Sequence, residues 1–355
     1  MITIQNKPSG IVLSSEFTEL AISTNLKQVY VTVQNQSYDY IFHEFMWVNG
    51  TSLTLFDIAS LIEADMKKHD WILADYTFNV FNDTESDSFS VNVLYCESFS
   101  TAGVDPDKFP SEFFLTKAGE KRISPDFSFS VYFYSEKSTA ETFELKCLYR
   151  YKDSQDILSF TTRGYSVGSA KIFHIDLSSK LILQWMVSAR ISTNDLEIVS
   201  LAVDCGGRYM AFFVDKSLIN GQTFFFKNIF NAWDFLTLPA LTSEKTDVER
   251  SLANIGAKSI FYDKNVSKSY EVQSGPITTE EADLIAQLVA SHDVYRISNE
   301  TIFPILITDS DCSVNDGDEM QSVKFIWRYA DNRPNIELPS ELERIFTSEF
   351  NKVFS

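Results

Sequence analysis

Between Asp75 and Tyr95 the chain alternates strictly, and that pattern limits its folding more than any other feature. Tyr76, Phe78 and Val80 fall on one side, with Asp75, Thr77 and Asn79 on the other. After the polar stretch 82–87, Phe89, Val91, Val93 and Tyr95 continue the apolar side, with Ser88, Ser90 and Asn92 opposite. Period-two alternation places every apolar group on one face of a strand, so this segment predicts a hairpin with one dry face. The same pattern is written at Val29, Val31 and Val33, at Phe127, Phe129, Val131 and Phe133, and at Phe143, Leu145, Cys147 and Tyr149. With 30 phenylalanines and 15 tyrosines, side chains that favour strands are abundant. The expected class is mainly β with a few helices, a β-rich α+β chain of antiparallel β-sandwich-like domains plus a strand-helix-strand-hairpin module.

In chain order, residues 1–100 predict a sandwich-like domain with one helix. Strands are expected at 27–34 and 38–48, with a turn at Asn49-Gly50. A helix capped near Thr54 and Asp57 runs to about Lys68, with Ile58, Leu61, Ile62 and Met66 as its apolar face. Gly103, Pro106, Pro110 and Pro125 mark 98–125 as a linker or long loop. The stretch 101–228 reads as a second β-sandwich domain, with strands at 156–163, 170–177, 181–188, 195–203, 208–214 and 222–227 and no helix. Asn228 to Leu241 is an aromatic connector, and 248–253 is read as a strand.

Residues 229–335 form the strand-helix-strand module. Its strands are expected at 259–262, 267–272, 294–297, 303–308 and 322–329, with a break at Asp263–Asn265. Its helix is expected from Thr279 to about Ala290, with Thr278 as N-cap and Glu281 completing a capping box, and Leu284, Ile285, Leu288 and Val289 make the apolar stripe. A last helix is expected in 336–355, entered by Ser340 and Glu343, with Leu342, Ile345, Phe346 and Phe350 on its apolar side.

The formal net charge of -19 argues against binding a phosphate backbone or an anionic membrane surface. The N-terminus shows no secretory pattern, and no apolar run approaches the ~20 residues that span a bilayer. A chain made in the cytoplasm and free of membrane insertion is the expectation. Cys96, Cys147, Cys205 and Cys312 are far apart, with no CxxC, so reduced thiols are expected. His43, His69, His174 and His292 show no metal-ligand spacing, and no Walker loop, GxGxxG or GxSxG is present. Cys205 in DCGGRY has no neighbour in sequence to lower its pKa. The acidic loop from Asp309 to Glu319 has oxygen ligands at alternate positions. An EF-hand counted from Asp309 nevertheless needs Gly and Glu where Val314 and Met320 stand. A solvated turn at Asp316-Gly317 accounts for it better. No cofactor, no metal and no catalytic residue are expected, and the chain is read as non-enzymatic.

One resemblance adds to this reading. Phe226–Phe235 (FKNIFNAWDF), Tyr270–Thr278 (YEVQSGPIT), Leu288–Tyr295 (LVASHDVY), Pro304–Thr308 (PILIT) and Ser322–Ala330 (SVKFIWRYA) carry it in the C-terminal third. Leu53–Glu63 (LTLFDIASLIE) and Val91–Cys96 (VNVLYC) carry it near the N-terminus. With these stretches, the segment from Thr223 to Asn332 and the N-terminal part resemble structural proteins of tailed phages and prophages of Bacteroidetes. The resemblance implies a virion protein of a tail, tail tip or baseplate-like particle, forming a homo-oligomeric ring with other virion proteins. The candidates for such contacts are Phe230, Trp233 and Phe235 in the connector and Ile345 and Phe346 in the last helix. A carbohydrate-binding or adhesive β-sandwich is the competing reading, with Tyr38, Tyr40, Trp47, Trp71 and Trp233 as stacking residues.

Overall fold

A computed structural model describes residues 1–8, 10–97, 108–219, 221–238, 241–255, 258–298, 301–311 and 322–330. Across these the chain is mainly β, with four α-helices. The expected last helix, with Ile345 and Phe346, lies outside the described residues, as does the turn at Asp316-Gly317.

The N-terminal part comprises β1 (Thr3–Ile4), β2 (Ile11–Leu13), β3 (Glu19–Ser23), β4 (Gln28–Asn35), β5 (Tyr40–Trp47), β6 (Ser52–Phe56), α1 (Ile58–Lys68), β7 (Leu73–Phe81) and β8 (Ser86–Leu94). A five-stranded sheet, β2-β8-β7-β4-β5, packs on a three-stranded one, β1-β3-β6. The alternating residues behave as their period requires: Val29, Val31, Val33, Tyr76, Phe78, Val80, Val91 and Val93 are all buried in one cluster. Ile58, Ile62 and Met66 of α1 join them. Leu61 does not; it is 38% exposed. Helix α1 also starts later than expected. Thr54 pairs with Ala21 in a sheet, and the turn into the helix is made by Asp57 in the left-handed region, φ 59°. The ladder to β3 already satisfies the backbone of 52–56, so the helix waits until the ladder ends. Asp65, on the inner side of α1, is held by the Tyr76 hydroxyl at 2.8 Å and the Asn35 amide at 3.1 Å.

The middle part comprises α2 (Phe109–Glu112), β9 (Glu120–Ile123), β10 (Ser128–Tyr134), β11 (Thr142–Tyr151), β12 (Leu158–Tyr165), β13 (Val167–Ser169), β14 (Ile172–Ser178), α3 (Ser179–Ser188), β15 (Leu196–Cys205) and β16 (Arg208–Val214). The sheet β12-β11-β15-β16-β9 faces the sheet β10-β14-β13 across a core rich in phenylalanine. The strand expected over 181–188 is instead α3. The Ser178 hydroxyl accepts from the Leu181 amide at 3.2 Å, and Ile182 and Met186, one turn apart, point into the core. A run such as LILQWMV has no decisive period, and here the N-cap serine settles its form.

The C-terminal part comprises β17 (Gln222–Lys227), β18 (Trp233–Leu238), β19 (Leu241–Ile255), β20 (Lys258–Gln273), α4 (Thr279–Ala290), β21 (Val294–Ser298), β22 (Thr301–Asp311) and β23 (Lys324–Tyr329). They form one sheet in the order β18-β17-β21-β22-β23-β20-β19. Helix α4 starts at the expected residue. The Thr278 hydroxyl accepts from the Glu281 amide, and the Glu281 carboxylate accepts from the Thr278 amide. Its Leu284, Ile285 and Leu288 share a core with Phe224, Phe226, Phe325 and Trp327. The connector 228–241 is not all loop, because β18 lies within it. The expected break at Asp263–Asn265 is absent. Residues 258–273 are one strand, with a single bulge where Ser251 pairs with Asp263 and Leu252 with Phe261.

Candidate functional site

The hairpin of β19 and β20 is the most unusual element. Its strands pair from Leu241–Gln273 out to Ile255–Lys258. The neighbouring β23 reaches only Tyr270–Gln273 of β20. Beyond Ser269 the two strands therefore have only each other among the described residues. At ~3.3 Å per residue, the eleven positions from Lys245 to Ile255 make an arm roughly 35 Å long. Every residue of β19 from Thr242 to Arg250 is exposed. Val248 is 45%, Leu252 62% and Phe261 61% exposed. A two-stranded ribbon standing alone is marginal in water, since neither face is covered. The arm is held by side-chain ties across and along its strands. Lys268 pairs with Glu244 at 2.6 Å, Lys245 with Asp247 at 3.2 Å, and the Arg250 guanidinium lies 5.2 Å above the Phe261 ring. Hydrogen bonding to Glu244 holds the Lys268 ammonium above its ordinary pKa.

A second exposed feature lies at the edge of the N-terminal sheet. Strand β5 has β4 on one side and ends the sheet on the other. Tyr30 is paired with Phe45 across one ladder and with Phe81 across the other, and its ring lies 4.8 Å and 5.5 Å from theirs. Trp47 continues the row, 6.0 Å from Phe45 and 68% exposed. Tyr40 stacks on His43 at 5.1 Å towards the other end of β5. Beside this row, Asn79, Thr77 and Ser90 present an amide and two hydroxyls, with Asn79 donating to the buried Thr32 at 3.4 Å. Exposed aromatics contiguous over one sheet face mark contact surfaces. Of the proposed stacking residues, Tyr38, Tyr40 and Trp47 belong to this hairpin. Trp71 stacks on His69 at 4.4 Å beside α1, and Trp233 lies elsewhere.

The connector candidates sit differently. Phe230 is 1% exposed and stacks on Phe109 at 5.0 Å, in a cluster that draws Leu13 and Leu94 from the N-terminal sheet and Leu115 from the middle part. Phe235 is 5% exposed and stacks on Phe129 at 4.2 Å. Both are core within this chain. Trp233 is half-buried, edge-on to Tyr295 at 5.5 Å with the Lys227 ammonium 4.3 Å above its ring. Between them Asp234 is buried against Lys121, and accepts from Thr116 at 2.9 Å and Asn228 at 3.3 Å. The connector is thus the junction of the three sheet systems rather than a free surface.

Cys147 and Cys205 are buried thiols, pushed by burial up to about 12 and about 11. A Cys205 thiolate at neutral pH is thereby disfavoured. Among the described residues no His, Cys, Asp and Glu groups gather to hold a metal. A cavity of about 570 Å³ is lined by Leu183, Leu196, Ile198 and Val214, and at its rim Arg150 and Lys216 both bind Glu197, at 3.2 and 2.7 Å. The Lys216 hydrogen bond and Arg150 hold the Glu197 carboxyl below its usual range. These rim charges satisfy one another. No helix of the described residues is long and apolar enough to cross a membrane.

No protein family matches this chain, and no curated protein matches it. The arm and the aromatic row are the two surfaces that sequence reasoning did not isolate. For the arm a signal existed in the unbroken polar run from Thr242 to Asp247, which gives neither strand face an apolar side. For the aromatic row, none showed which face of β4 and β5 looks outward.

Proposed function

We propose that this chain is a non-enzymatic assembly protein. Copies join through sheet edges, and with other virion proteins they build a tail, tail-tip or baseplate-like particle of a phage. The observation that carries this is the arm: a two-stranded ribbon roughly 35 Å long, with Val248, Leu252 and Phe261 exposed. An edge strand left open is a template for another chain, and a ribbon without a covered face gains most from one. The resemblance of 223–332 to phage structural proteins supports the particle named. A ring also needs a second, different edge, and β5 with its aromatic row offers it.

The test is sedimentation of the full-length chain beside a variant in which 247–267 is replaced by a two-residue Asn-Gly turn, so that the pair Thr246–Lys268 closes the shortened hairpin. The parent should self-associate at tens of micromolar and the shortened variant should sediment as a folded monomer. A monomeric parent, or unchanged association after shortening, would refute the reading.

The aromatic row favours a second reading, an adhesive role in which Trp47, Phe45 and Tyr30 stack on sugar rings and the neighbouring hydroxyls and amide bind sugar oxygens. It expects the full-length chain to select glycans on an array, and Trp47→Ala to abolish the selection. A flat array result alongside self-association decides for assembly alone.

A further inference from the structure

Resting on the assembly reading, we infer that β19 is a self-recognition strand, pairing antiparallel with β19 of a second copy of this chain across a twofold axis at Asp247. Strand β19 is the last in its sheet, so one of its edges faces no strand among the described residues. In an antiparallel ladder the backbone groups on that edge are available to another strand. Edge strands usually carry charges that repel indiscriminate pairing. In β19 the charges are ordered in a way that also selects one partner. The sequence from 244 to 250 is Glu, Lys, Thr, Asp, Val, Glu, Arg. Folded back on a second copy about Asp247, Glu244 comes opposite Arg250 and Lys245 opposite Glu249. Symmetry repeats both, giving four opposite-charge pairs.

Other registers do worse. A slip of one residue sets Lys245 against Arg250, or in the other direction Glu244 against Glu249. A slip of two sets Asp247 against Glu249, or keeps only the two pairs of Lys245 with Asp247. Opposite-charge cross-strand pairs stabilise and like pairs destabilise, so the chosen register stands apart from its neighbours. The in-chain contacts extend the pattern. Glu244 already holds Lys268 at 2.6 Å, so the partner's arginine would complete a row of three charges across three strands. Lys245 lies 3.2 Å from Asp247 and would stand between that carboxylate and the partner's glutamate. The one like-charge contact is Asp247 with itself, flanked by both lysines. Val248, 45% exposed in the single chain, would face Thr246 of the partner. The contact is isologous and closes at two, so it joins subunits pairwise and leaves β5 free for a different contact.

Charge reversal on the full-length chain tests this, read by sedimentation equilibrium with circular dichroism to show that each variant folds. Lys245→Glu and Glu249→Lys should each weaken the dimer at least about tenfold, because each turns two attractive pairs into repulsive ones. The double variant restores the pairs and should bind within a few-fold of the parent. Asp247→Asn should bind tighter than the parent. In a Cys312→Ser background, Asp247→Cys should cross-link two chains on oxidation, since only the axial residue meets itself, while Val248→Cys should not. Single reversals without effect, a double variant that stays weak, or cross-linking at 248 instead of 247 would each overturn the register. If shortening the arm still abolishes association in that case, assembly stands and this pairing falls. A parent that is monomeric throughout removes both.

Discussion

Replacing Asp234 by alanine is expected to destabilise the fold by about 3–5 kcal/mol, because it leaves a buried lysine without its counter-charge. Asp234 and Lys121 are 5% and 4% exposed, and the carboxylate also receives Thr116 and Asn228. Asn228 in turn donates to the carbonyl of Leu115 at 2.8 Å, so the loss would spread to the segment that leads into the middle sheets. The Lys121 ammonium additionally lies 4.8 Å from the Phe235 ring, an attraction too small to replace a carboxylate. The double variant Lys121→Met with Asp234→Leu should recover most of the loss, since an apolar pair removes the desolvation cost of both ions. Urea unfolding followed by circular dichroism measures all three proteins. A single-variant effect under about 1 kcal/mol would mean that water reaches the pair and that the connector is held by its rings alone.

Phe230→Ala should cost about 3–5 kcal/mol as well, by emptying a packed aromatic site. The ring is stacked on Phe109 and enclosed by Leu13, Leu94, Cys96, Leu115 and Ala232, which come from elements far apart in sequence. Its removal should loosen the N-terminal sheets from the rest of the chain and lower the unfolding midpoint. Trp233, half-buried on the same segment, should cost less when truncated. The reading of Phe230 and Phe235 as contact residues between subunits thus gives way to a folding role, because their burial is complete within one chain. A Phe230→Ala variant that kept its stability but sedimented as a smaller species would restore the original view.

The parts that a sequence can state are those in which a residue's environment follows from its neighbours along the chain. Val29, Val31 and Val33, or Tyr76, Phe78 and Val80, share a face by the geometry of a strand, and one side of that strand had to be dry. Thr278 and Glu281 find each other's backbone within a single turn, so the start of α4 could be placed to the residue. Where local signals conflicted, the tertiary structure chose. The run 181–188 suits a strand or a helix, and the Ser178 cap with the core side of Ile182 and Met186 made it a helix. Thr54 suits a cap, and pairing with Ala21 placed it in a ladder instead.

Surfaces were decided only by the fold. The alternation of aromatic residues in β4 and β5 is visible in the chain. Which of them face solvent depends on the second sheet, which covers Val29, Val31 and Val33 and leaves Tyr30, Phe45 and Trp47 outside. Likewise the sequence alone placed short strands at 248–253, 259–262 and 267–272, and the tertiary structure joined them into β19 and β20. That they stand beyond the sheet as an arm follows from where β23 stops pairing, at Tyr270. Hydrophobic period is a local property of the chain, whereas exposure of an edge is set by the partners a strand lacks, and those partners are remote in sequence.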